Sequence, residues 1–350
     1  MSGDADPIAL VSAARAGQKR AIGKLISIFE DTRPAAAGQR KELLALLAGA
    51  SHDPAGGRPR AHVIGMTGTP GAGKSTLIGA LALELIRRRA DARVAVLAVD
   101  PSSHVSGGAL LGDRTRVRFP AGEERLFFRS QASDRQLGGV SRYTFAACRL
   151  LCHLFDYVFI ETVGIGQSEI EIHYVADHSY LVLQPMAGDE VQFMKAGIME
   201  IPDAFILNKC DQVEAAERSL HALRASLRLA RLEGPGALPP IFAVSARTGA
   251  GMDELLGSII AGAEAGAGGA RGSWADKERH FFEVWVRDEF GRTGLALLAS
   301  RGGGGRAYLA GAGCYDAAQV AFARDMVGWM AEGAGLPGRR AGGDGQGRSQ

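Results

Sequence analysis

From residue 61 onward the chain alternates short aliphatic runs with longer stretches of helical spacing. The runs are 61–67, 93–99 (Arg93-Val-Ala-Val-Leu-Ala-Val99), 125–129, 157–162, 179–184, 204–208 and 240–245. They are apolar almost throughout rather than alternating, which suits strands covered on both faces. Helices between such strands give an α/β domain with a mostly parallel sheet flanked by helices. Upstream, 8–30 sets Ala, Leu, Ile and Val among Lys and Arg at helical spacing, and 39–48 repeats the pattern. Ser51-His-Asp-Pro-Ala-Gly-Gly-Arg-Pro59 then reads as a linker, so 1–60 is expected to be a helical N-terminal extension. Downstream, the chain loosens at Gly266-Ala-Gly-Gly-Ala-Arg-Gly272 before a helical segment over 273–299. Its Trp274, Phe281, Phe282, Trp285 and Phe290 form a partial apolar stripe, fit either for core packing or for a dimer surface. Arg301-Gly-Gly-Gly-Gly305 reads as a flexible joint, 316–332 as a last helix, and the Gly- and Arg-rich 336–350 as a disordered tail.

Composition narrows the function classes. The 350 residues allow a large central domain with extensions, and 46% hydrophobic content allows a sizeable core. A net charge of +2 gives no reason to expect a nucleic-acid partner. No run of about 18 apolar residues is present, so no membrane-spanning helix is expected. The opening Met1-Ser-Gly-Asp-Ala-Asp6 lacks the basic start and apolar run of a signal peptide, and a cytoplasmic location is expected. Cys148 and Cys152 stand four apart on an expected helix; they are either a redox or metal pair or packed, reduced thiols.

The candidate chemistry lies at the ends of the aliphatic runs, where ligands of parallel sheets bind. Gly68-Thr69-Pro70-Gly71-Ala72-Gly73-Lys74-Ser75, followed by Thr76, fits G-x-x-x-x-G-K-[ST] between a run and a helical stretch. Its glycines let backbone N–H groups turn inward onto phosphates. Lys74 adds charge at the β- and γ-phosphates, Ser75 a hydroxyl for Mg²⁺, and the helix its positive end. Asp100 ends the 93–99 run, where it could hold Mg²⁺ or initiate a turn before Pro101. Glu161-Thr-Val-Gly164-Ile-Gly166-Gln167 follows the 157–160 strand. Gly164 is placed to meet a γ-phosphate, and Gln167 either orients water or lies on the surface. Asn208-Lys209-Cys210-Asp211 matches N-K-x-D, in which one carboxylate accepts both donors of the guanine edge. Ser245-Ala246-Arg247 resembles the loop whose N–H meets guanine O6. Three nucleotide motifs in this order favour GTP over ATP.

These motifs closely resemble the MeaB/ArgK-type accessory GTPases of adenosylcobalamin-dependent acyl-CoA mutases. The resemblance rests also on Val99-Asp-Pro-Ser-Ser103, Gly112-Asp113-Arg-Thr-Arg116, Leu137-Gly-Gly-Val140, Glu161-Thr-Val-Gly-Ile-Gly-Gln-Ser-Glu169, Ala187-Gly-Asp-Glu190 and Lys195-Ala-Gly-Ile-Met-Glu-Ile201. It covers about 8–260 well and the C-terminal arm loosely. It implies a P-loop G-domain of the SIMIBI class over 61–263, a helical dimerisation arm over 264–335, and a homodimer. It implies a GTP hydrolase, slow alone and stimulated by its mutase. This enzyme uses Mg²⁺ and GTP/GDP to gate adenosylcobalamin loading into that partner and to protect it. The cofactor is then handled through the mutase rather than bound alone, and an adenosyltransferase is a further expected partner. Ser75, Asp100, Asp113 and Glu161 match the Mg²⁺ and switch positions, and Lys195 a lysine of a third switch segment spanning 184–195. The chain departs from many members at Arg129-Ser-Gln-Ala-Ser-Asp-Arg-Gln136, where they carry Arg-Pro-Ser-Pro-x-x-Gly. That leaves methylmalonyl-, isobutyryl-, 2-hydroxyisobutyryl- and ethylmalonyl-CoA mutase all open as partners. The mutases' own Asp-x-His-x-x-Gly motif is absent. Rival readings are a metal-insertion GTPase of the nickel type, a kinase of a transport protein, and a module that binds GTP without turnover.

Overall fold

The computed structural model describes residues 6–31, 33–48, 61–100, 120, 122–132, 140–162, 172–186, 202–230, 238–265 and 273–331. Its contacts divide the chain into two compact units, Met1–Lys277 and Glu278–Gln350.

The first unit is built on seven strands: β1 (His62–Gly68), β2 (Val94–Asp100), β3 (Leu126–Ala132), β4 (Tyr157–Thr162), β5 (His178–Leu183), β6 (Ala204–Leu207) and β7 (Ile241–Ala243). They run parallel in the order β3-β2-β4-β1-β5-β6-β7. Each observed strand overlaps one of the seven aliphatic runs. Full burial of β1 and β4 explains why those runs do not alternate. Ile64, Met66, Phe159, Tyr180 and Val182 point one way, against Leu77, Leu81 and Leu85 of α4 (Lys74–Arg88) and Leu255 and Ile259 of α7 (Met252–Glu264). Leu181, Leu183, Phe205 and Leu207 meet Leu223 and Leu227 of α6 (Val213–Ala230). The strand order places β1 at the centre, so the chain leaving its C-terminal end emerges between its neighbours β4 and β5.

The N-terminal region has three helices, α1 (Pro7–Arg15), α2 (Lys19–Glu30) and α3 (Pro34–Ala48), where periodicity suggested one over 8–30 and another over 39–48. Gly17 divides the first at φ 84°, and a Cβ there would lie 3.2 Å from Glu124 O. A side chain would be both strained and crowded at this corner. α2 packs on α5 (Arg142–Leu151) through Ile22, Leu25, Ile26 and Phe29. Glu30, at its end, accepts from Arg129 Nη2 (2.7 Å) and Gln131 Nε2 (2.9 Å) on β3.

In the second unit, α8 (Trp274–Ser300), whose first turn belongs to the first unit, has a non-helical residue at Gly291 (φ 57°, ψ −143°). α9 (Gly304–Ala312) begins inside the glycine run expected to be a joint, and α10 (Tyr315–Ala331) follows. Phe282, Trp285, Phe290, Tyr308, Tyr315 and Phe322 form one cluster of tilted and edge-on rings. The apolar stripe of α8 is thus core for the residues from Phe281 to Phe290, while Trp274 stacks near Phe145 in the first unit. Among the described residues, no helix is long and apolar enough to cross a membrane.

Candidate functional site

The phosphate loop joins β1 to α4. Gly68 has φ 140°, and a Cβ there would stand 2.1 Å from Val182 O, so β5 runs too close for any side chain. Gly71 and Gly73 also have positive φ, at 84° and 83°. Lys74 is buried, and its Nζ donates to Gly68 O (2.7 Å) and Thr69 O (2.9 Å). The ammonium therefore sits over the loop's own carbonyls, at the start of a helix whose N-terminal end attracts anions. Thr69 and Ala72 are buried, whereas Pro70 and Thr76 face solvent.

Ser75 Oγ donates to Glu161 Oε1 at 2.7 Å. Glu161 is buried at the end of β4, in register with Met66 of β1. Two hard oxygen groups from α4 and β4 thus converge beside the loop, a donor set suited to Mg²⁺. Asp100 closes β2, next to β4. Asp113, Gly164, Gln167 and Lys195 lie outside the described residues.

The two candidate base-reading motifs meet on the other side of the loop. Asn208, fully recessed, donates from Nδ2 to Ala72 O (2.9 Å) and accepts at Oδ1 from Ala246 N (3.2 Å). One side chain therefore ties the phosphate loop to both base loops. A Cβ on Gly73 would meet Asn208 Nδ2 at 2.7 Å, which explains the glycine. Ser245 Oγ donates to Asp211 Oδ1 (3.1 Å), and Arg247 Nη2 pairs with Asp211 Oδ2 (2.7 Å). Gly251 (φ 70°) lets the 245–251 loop fold back, where a Cβ would stand 2.1 Å from Ala243 O. Gly73, Asn208, Asp211, Ser245, Ala246 and Arg247 line a cleft of about 440 Å³.

Gln184 and Pro185, which open the 184–195 segment that the family resemblance implies to be a switch, also line this cleft. Lys209 has φ 63°, a strained setting for a side-chain-bearing residue, and its Nζ donates to Gln184 Oε1 at 2.7 Å. The available signal was position: Gln184 directly follows β5, at the carboxyl end of the sheet. Cys148 and Cys152 are buried with Sγ atoms 3.8 Å apart, and hydrogen bonding to Cys148 and burial push the Cys152 thiol well up. Such a thiol packs rather than reacts. Among the described residues, no group of three or more His, Cys, Asp or Glu is arranged to hold a metal.

Comparison with known proteins agrees with this architecture. A crystal structure described as LAO/AO transport system kinase matches with a TM-score of 0.60 at 23% identity, over 95% of this chain and 99% of that one. This is a likeness of fold. A protein of Pyrococcus horikoshii described as a GTPase is 40% identical over 71% of this chain and 75% of its own. The methylmalonic aciduria type A homolog of Mus musculus, a mitochondrial protein, is 38% identical over 57% of this chain and 48% of its own. The profile of one family covers residues 22–291. The chain is a P-loop GTPase and belongs to the family described as methylmalonyl Co-A mutase-associated GTPase MeaB.

Proposed function

We propose that this GTPase gates the loading of adenosylcobalamin into an acyl-CoA mutase and protects that enzyme, acting as a homodimer in the cytoplasm. The observation that supports guanine as the base is the Asn208 bridge. It ties the 208–211 and 245–247 loops to the loop that carries Lys74. Lys74 would neutralise the phosphates, and Ser75 and Glu161 would hold Mg²⁺, with Asp100 and Asp113 supplying further carboxylates. When bound, the ion would offset phosphate charge. Gly164, Gln167 and Lys195 carry the nucleotide-dependent response. The division of labour is a GTPase domain over 61–263, helices to residue 60 before it, and a dimerisation arm over 264–335. The partner rests on family membership and on Glu161-Thr-Val-Gly-Ile-Gly-Gln-Ser-Glu169.

The test is phosphate release from GTP by the purified chain, alone and with each of the four adenosylcobalamin-dependent acyl-CoA mutases named above. Slow release alone and a rise of 10-fold or more with one mutase are expected. Equal rates with and without all four would remove the partner reading and leave a stand-alone GTPase.

A further inference from the structure

The carboxylate that should read guanine already has a partner. Asp211 Oδ1 is held by Ser245, which is wholly buried and whose hydroxyl is fixed in turn by Thr248 N (3.3 Å). Oδ2 is taken by Arg247, whose side chain is 80% exposed while that of Asp211 is 19% exposed. A long side chain thus reaches back from solvent to a recessed acid at the wall of the cleft.

The chemistry of the two possible partners is the same. Guanine's N1–H and 2-amino group form the edge of a guanidine built into the ring. Arg247 presents a free guanidinium, whose parallel N–H groups suit a carboxylate. Both donors need Asp211 Oδ2, and both cannot hold it fully at once. Two other contacts of the cleft use atoms away from the guanine edge: Asn208 Nδ2 bonds Ala72 O and Lys209 Nζ bonds Gln184. Ala246 N, the N–H expected to meet O6, bonds Asn208 Oδ1, a neutral contact at 3.2 Å, so Arg247 is the charged group that meets the edge-reading acid.

We propose that Arg247 is an internal stand-in for the guanine edge: it occupies Asp211 in the nucleotide-free protein and must be displaced when the nucleotide binds. The proposal rests on reading this cleft as the guanine site. Its consequence is thermodynamic. A contact present only in the empty state stabilises that state, lowers guanine-nucleotide affinity, and favours release of the product GDP without a second protein. The arginine also keeps a recessed carboxylate partnered while the base is absent.

The experiment is calorimetric titration of GDP, xanthosine diphosphate and inorganic pyrophosphate into the wild-type chain, Arg247→Ala and Asp211→Asn. Arg247→Ala is expected to bind GDP more tightly by roughly 1.5- to 5-fold, the range an exposed ion pair commands. The gain should shrink as salt screens the pair. Pyrophosphate cannot reach Asp211, so its affinity should be unchanged by Arg247→Ala. GDP affinity that is unchanged or weaker in Arg247→Ala overturns the proposal, the latter by making Arg247 a direct contact to the nucleotide. An equal gain for pyrophosphate overturns it too, because the effect would not lie at the base. Asp211→Asn isolates the underlying reading. It should turn preference from GDP toward xanthosine diphosphate, and failure to do so refutes the guanine cleft itself, whatever Arg247 does.

Discussion

At the residue scale, the site is governed by glycines with positive φ, some of which also sit where a side chain has no room. Gly71 and Gly73 have nearly equal positive φ, yet their surroundings differ. A Cβ on Gly71 meets nothing within 4 Å, whereas one on Gly73 presses on Asn208 Nδ2 at 2.7 Å. The left-handed backbone costs an alanine about 1–2 kcal/mol at either place. Gly73→Ala must in addition shift the amide that ties the loops together. Thermal unfolding of the nucleotide-free protein should therefore rank wild type above Gly71→Ala, and Gly71→Ala above Gly73→Ala, with the last pair separated by a few degrees. Equal melting points for the two variants would mean that the Asn208 bridge adds nothing to stability. The glycine spacing itself was plain in the sequence. The reason for each glycine was not, because Val182 and Asn208, which crowd Gly68 and Gly73, arrive from strands more than a hundred positions away.

At the element scale, the end of the sheet opposite the 68–75 loop holds a buried polar layer. His62 Nε2 and His178 Nδ1 are 3.2 Å apart across β1 and β5. Asp177 accepts from Val63 N (2.8 Å) and pairs with Lys277 (2.5 Å), whose Nζ also donates to Val175 O. Burial holds His62 down at about 4; Asp177 opposes this, while His178 and Lys277 add to it. His153, just beyond α5, is likewise lowered to about 4 by burial, then by Arg149 and Arg15. Both groups bind a proton less readily folded than unfolded. Their stabilising contribution is therefore complete above pH 6.5 and is lost as pH falls from 6.5 toward 4. The loss is at most about 1.4 kcal/mol per pH unit for each histidine. Urea midpoints measured from pH 7 to 4.5 should fall with acid, and His62→Asn should flatten that slope. An unchanged slope would show that His62 takes no part in it.

At the scale of the whole molecule, two cores coexist in one chain. The second unit is held by aromatic rings around Phe322, which is fully buried. Phe322→Ala should cost about 3–5 kcal/mol. If the division at Lys277 is also energetic, the loss falls on the second unit alone. Near-ultraviolet circular dichroism should weaken while GDP affinity at the cleft stays within about two-fold of wild type. A parallel loss of GDP binding would show that the two units fold as one.

What the sequence determined by itself was everything whose physics is local. Seven runs of apolar residues declare seven strands, wholly buried at β1 and β4 and only partly at the edges β3 and β7. Eight consecutive residues from Gly68 to Ser75 declare a phosphate loop, because turn, charge and helix start lie within a single stretch. Helix breaks were less legible: after α1 the chain turns at Gly17, where Glu124 leaves little room for a Cβ, and α9 forms within a run of glycines that local propensity assigns to a joint. Tertiary structure alone decided which strand ends become neighbours. The order β4-β1-β5-β6-β7 brings Glu161 to Ser75, Gln184 to Lys209 and Asn208 to Ala72. It also holds the 208–211 and 245–247 loops side by side, so that Arg247 closes on Asp211. Those pairs depend on strand order, and strand order is set by how the helices cover the two faces of the sheet, a property of no single segment.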